Sequence, residues 1–206
     1  MDELARQTIE RVAERFLAGV PAYLWDGESL PVPVEDIADS HVGLLVRDVE
    51  DLNQAPGAPP ADSRQALSGL LLPAIGEIWV NAAEARRWPA RRRFTIAHEL
   101  GHWSLHRDGE QPAFCRSGAV DPDGERPPAP PAEHGPAPPA ERPPIPPAEE
   151  QANAFAAAVL MPARLVRDQY ARLGRDLDAL CAAFSASGAA MSRRLQAVIG
   201  QRPTYR

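Results

Sequence analysis

The 206-residue chain is 44% hydrophobic, enough for a sizeable core, and carries 28 acidic against 22 basic side chains, a net charge of −6 that argues against general nucleic-acid binding. No basic segment followed by an apolar run opens the sequence, and no stretch reaches the ~18 apolar residues of a membrane span. The expectation is a globular, cytoplasmic protein without membrane contact. Cys115 and Cys181 lie too far apart in sequence to suggest a disulfide framework, so reduced thiols are expected.

Leu4, Ile9, Val12, Phe16 and Leu17 recur at helical intervals and predict an amphipathic helix over residues 2–18, stopped by Gly19 and Pro21. Pro33 and Val34 open a second, short helix through about Ala38, and Val42 to Val46 is a β-like run. Asn53 to Asp62 reads as a Pro- and Ala-rich loop. Gly69 to Leu72, then Pro73 to Gly76, then Glu77 to Val80 read as a hairpin. The expected class is α+β, a compact domain with a small antiparallel sheet packed on helices.

His98-Glu99-Leu100-Gly101-His102 follows, in a segment that Pro89 can open as a helix. Ile96, Leu100 and Trp103 form an apolar stripe on the face away from the histidines. Residues four apart on a helix sit about 5–6 Å apart at Cβ, so His98 and His102 can both reach one Zn²⁺. Glu99 can then take a proton from a water held there. Gly101, between the two histidines, lets another backbone approach closely.

Between Ala119 and Ala148 stand 12 of the 23 prolines with few large apolar residues. Such a segment cannot bury a core, and residues 119–147 are expected to be a disordered, proline-rich insertion. Pro127 to Pro130 and Pro143 to Pro146 have PxxP spacing, best read as spacer. Helical pattern resumes at Glu149 and runs to Leu160, where Met161-Pro162 ends it. Further helices are expected over Ala163 to Leu173, Asp176 to Phe184 and Ala189 to Ile199, a C-terminal helical part spanning 163–200 of one metallopeptidase domain, 1–206.

A hydrolytic zinc takes three protein ligands and keeps one open position, so a third donor must come from elsewhere. Glu149 and Glu150, about 100° apart on one helical turn, are the candidates. Glu149 shares a face with Asn153, which can hold a ligand histidine by a hydrogen bond.

At this point Arg93-Phe94-Thr95-Ile96-Ala97-His98-Glu99-Leu100-Gly101-His102, with Glu149-x-Gln151-Ala152-Asn153-x-Phe155-Ala156 and Leu160-Met161-Pro162, resembles the ImmA/IrrE family of zinc metallo-endopeptidases. The likeness extends upstream through Ser68-Gly69-Leu70 and Ile78-Trp79-Val80-Asn81, and downstream through Phe184 and Met191 to Leu195. It implies a zincin-like domain with His98, His102 and Glu149 as ligands and Glu99 as the catalytic base. It also implies a protein substrate, a helix-turn-helix transcriptional repressor whose cleavage derepresses genes. The proline-rich insertion between His102 and Glu149 departs from the family pattern.

Other residues invite weaker readings. Tyr170 and His106 are candidate donors to the oxyanion of a tetrahedral intermediate. Glu77, Ile78, Trp79, Val80 and Asn81 are expected to bind substrate as an added strand. Arg86, Arg87, Arg91, Arg92 and Arg93 form a basic cluster best read as salt-bridged. His41 and His134 are expected to be uninvolved. The run Leu177 to Leu195 imitates a DNA-reading helix-turn-helix. Two rival functions follow: a DNA-associated regulator with a structural zinc site, and a module that binds a partner without cleaving it. Glu99 separates them from the peptidase, since a structural site needs no base.

Overall fold

The computed structural model describes residues 1–55, 67–106, 113–116 and 145–200. Among these the chain forms eight helices and four strands. Helix α1 (Glu3–Ala18) is capped by Asp2, whose carboxylate accepts from the Ala5 N–H at 2.7 Å, and it buries Ile9, Ala13 and Leu17 on one stripe. The Val34–Asp36 turn, α2, continues as a π-helix over Ile37–Val42 until Gly43 ends it at φ 80°. That left-handed residue shifts the following strand: β1 is Leu45–Val49, three residues later than the β-like run at Val42.

Strands β2 (Leu67–Leu72) and β3 (Glu77–Asn81) form the expected hairpin, with Leu71 opposite Ile78 and Gly76 at φ 67° closing the turn. The sheet order is β1-β3-β2-β4, where β4 is Ala113–Arg116. The α+β class holds, but the sheet is mixed rather than antiparallel, because β1 lies parallel to β3. Apolar alternation marks a strand without encoding which neighbour it joins or in which direction, since that pairing is made by backbone groups common to all residues. Strand β2 is buried along its whole length. Leu71 faces the main core, and Leu70 and Leu72 pack with Ala55 and Trp79 on the opposite side.

Helix α3 (Ala82–Arg87) is capped by Asn81, and α4 (Pro89–Leu105) begins on Pro89, whose missing N–H costs nothing in the first turn. Helix α5 (Pro147–Leu160) also begins on a proline, two residues before the expected start, and packs closely along α4. Helices α6 (Ala163–Leu173), α7 (Leu177–Phe184) and α8 (Gly188–Ile199) follow as expected, α7 and α8 capped by Asp176 and Ser187. The proline-rich stretch through residue 144, with Pro127 to Pro130 and His134, lies outside the described residues, as do residues 56–62 of the expected loop. Among the described residues no helix is long and apolar enough to cross a membrane.

Candidate metal centre

The buried stretch of α4, Thr95 through His102, lies between the sheet and α5. Two small residues set the spacing. A Cβ at Gly69 of β2 would lie 2.3 Å from the Thr95 Cγ2 and 3.0 Å from a Glu99 carboxylate oxygen, so only glycine allows the helix this close to the strand. The sequence carried that signal, a glycine inside a strand pattern, but not its partner. Across the helix, Gly101 faces Ala152 of α5 with similarly little room.

That approach brings three side chains to one point. The Nε2 atoms of His98 and His102 are 3.0 Å apart, and Glu149 places its two carboxylate oxygens 3.3 Å from the first and 3.2 Å from the second. Donor atoms bound at about 2.0–2.1 Å to a tetrahedral zinc lie roughly 3.3 Å from one another, so this triangle has the right size for such an ion. Its chemistry fits as well. The His98 Nδ1–H donates to the Asn153 Oδ1 at 3.0 Å, which puts the ring proton on Nδ1 and leaves the Nε2 lone pair toward His102 and Glu149. Three electron-pair donors thus converge, and one Glu149 oxygen is buried without a hydrogen-bond partner. His98, His102 and Glu149 form a group that could hold a metal ion.

Burial pushes the His98 ring toward its neutral form, the form that donates a lone pair. Burial alone would raise the Glu149 carboxyl, but hydrogen bonds to His102 and His98 outweigh it and hold the group at about 2. Glu99 is fully buried beside the triad, and neither of its carboxylate oxygens has a hydrogen-bond partner. Burial, reinforced by the Glu149 charge, pushes its carboxyl well above the ordinary value. Glu150 points away and takes the Met1 ammonium at 2.8 Å.

His106 ends α4, its ring 5.6 Å from that of His102. Tyr170 lies on α6, packed against the core on a helix whose neighbours are α7 and α8. The strand expected to bind substrate is corrected by the sheet order. Residues Glu77 to Asn81 form β3, which pairs with β1 on one side and β2 on the other and so has no free edge. Its side chains are also engaged: Ile78 and Val80 are in the core, Glu77 pairs with Arg47 and the Trp79 indole, and Asn81 caps α3.

The arginine cluster is tied up internally. Arg86 binds Glu50, Arg91 binds Glu84, Arg92 binds Glu35 and Asp48, and Arg93 donates to the Val32 carbonyl, while Arg87 stacks on Trp88. In the segment that imitates a DNA-reading motif, Arg194 is buried, bonded to Glu10 and to the Met161 carbonyl.

No curated protein matches the chain. A solved structure described as a Mycobacterium tuberculosis transcriptional regulator is similar with a TM-score of 0.45 and 16% identity over 95% of this chain and 47% of that one, so the chain spans about half the length of that protein. Residues 140–196, which carry Glu149, Asn153 and the helices behind them, match the model of the IrrE N-terminal-like domain, Peptidase_M78, and by this segment the chain belongs to that family.

Proposed function

We propose that residues 1–206 are one metallopeptidase domain, a zinc-dependent endopeptidase in which His98, His102 and Glu149 hold the metal and Glu99 is the general base. The observation that carries this reading is the meeting of a carboxylate from α5 with two lone-pair-bearing imidazoles of α4, directly beside a buried and unpartnered Glu99. When bound, zinc would supply a positive charge that polarises the scissile carbonyl and offsets the burial that otherwise keeps Glu99 protonated. Glu99 takes a proton from the attacking water as its oxygen bonds to the carbonyl carbon, then passes that proton to the leaving amine as the C–N bond breaks. Asn153 keeps the His98 proton on Nδ1, so that Nε2 remains a ligand throughout.

The substrate follows from the family resemblance: a cytoplasmic helix-turn-helix repressor, cut to release the genes it holds off. Arg194, spent on Glu10 and the Met161 carbonyl, weighs against the rival in which the last helices read DNA. The test pairs metal analysis with cleavage. Glu149→Gln loses zinc and Glu150→Gln keeps it, whereas Glu99→Gln keeps zinc and loses cleavage of a repressor encoded beside the gene, by on the order of 10²–10⁴ in rate. Zinc lost only in the Glu150 variant, or undiminished cleavage by Glu99→Gln, overturns the reading.

A further inference from the structure

His106 stands one helical turn beyond His102, at the point where α4 stops, with its own N–H closing the last turn on the His102 carbonyl at 2.9 Å. Its ring reaches across to α5, where it hydrogen-bonds to the backbone of Ala148, the residue before Glu149. Its Nε2 is buried without a partner, so the nitrogen facing Ala148 is Nδ1, donating to the carbonyl. At this place α5 has little else to hold it. The helix opens on Pro147 with no side-chain cap, and its first ordered residues are Ile145 and Pro146. Gly101 and Ala152 fix the two helices one turn further on, but they leave the first turn, and with it the Glu149 carboxylate, free to splay.

We infer that His106 is a positioning residue: by clamping the C-terminus of α4 to the Ala148 carbonyl, it holds Glu149 in register with the Nε2 atoms of His98 and His102. This rests on the metal-site reading for its consequence, but the clamp itself is independent of any metal.

The test uses the full chain as purified and three variants. His106→Leu removes the donor. His106→Asn keeps an amide N–H where the imidazole Nδ1–H stands, and His106→Gln carries its amide one methylene further out, giving a second comparator should the leucine variant fail to fold. Amide hydrogen exchange over residues 150–154 reads the clamp. It should quicken about fivefold or more in the leucine and glutamine variants and return to within about twofold of wild type in the asparagine variant. Competition for zinc against a chromogenic chelator reads the consequence. Affinity should fall about tenfold in the same two variants and recover with asparagine. Equal exchange in wild type and His106→Leu, or exchange in His106→Asn as fast as in His106→Gln, overturns the clamp. Loosened exchange with unchanged zinc affinity overturns its role in placing Glu149. A wild-type protein that binds no zinc yet shows the exchange pattern overturns the metal reading and leaves the clamp standing.

Discussion

Gly101 and Ala152 meet where α4 crosses α5: a Cβ on Gly101 would stand 3.0 Å from the Ala152 Cα, 3.1 Å from its carbonyl oxygen and 3.3 Å from its Cβ. The neighbour is backbone, which cannot rotate away, so any side chain at position 101 pushes the helices apart. Glu149 and Asn153 flank Ala152 and would retreat with it.

Gly101→Ala should therefore cost about 1–3 kcal/mol of stability through overpacking, despite the better helix propensity of alanine. Zinc affinity should drop with it. Urea denaturation and chelator competition on the same preparations measure both, and an alanine variant that gains stability while keeping its metal contradicts the contact.

Glu99 carries the pH dependence of the metal-free protein. Its folded-state pKa lies above the ordinary 4.5 because of burial and the Glu149 charge, so the neutral carboxyl is the form the fold prefers. Stability from this group is full below the unfolded value and is lost as pH rises toward the folded one. Glu99→Gln stays neutral throughout. Stripped of metal, the variant should be more stable than wild type by about 1 kcal/mol or more near neutral pH, and the two should converge near about pH 4. Urea midpoints across that range test it, and a variant less stable at neutral pH rules it out.

Arg194 ties the C-terminal helix to the rest of the fold through Glu10 and the Met161 carbonyl. Arg194→Met leaves both acceptors without their donor and should cost roughly 2–3 kcal/mol. Zinc content should not change. Thermal denaturation reads the loss, and an unaltered midpoint would show that the pair contributes nothing.

Val80 sits in the middle of the sheet, opposite Asp48 on one side and Gly69 on the other. Val80→Pro removes a ladder donor and places a ring in a fully paired strand, so the expected outcome is an unfolded or insoluble protein, a loss of roughly 3 kcal/mol or more. A folded Val80→Pro protein with weakened cleavage would restore this strand as a substrate platform. Circular dichroism before any activity assay separates the two.

Much of the site was legible before the fold. Two histidines four apart share a helix face by the helical repeat alone, and the same repeat puts Glu149 and Asn153 together; each pair depends only on local geometry. The choice between Glu149 and Glu150 was different in kind. Both occupy one helical turn, and what separates them is where α5 docks, which brings one carboxylate to the histidines and the other to the Met1 ammonium.

Local periodicity also marked the helices and the hairpin, because apolar spacing reports which face of an element is buried. It could not report that β1 runs parallel beside β3 and closes its edge, since strand order is settled by backbone pairing between segments distant in sequence. Nor could it pair Gly69 with Thr95 or Gly101 with Ala152. A glycine in the sequence announces that something approaches; the packing of α4 between the sheet and α5 decides what, and that packing gathers His98, His102 and Glu149 into one cluster.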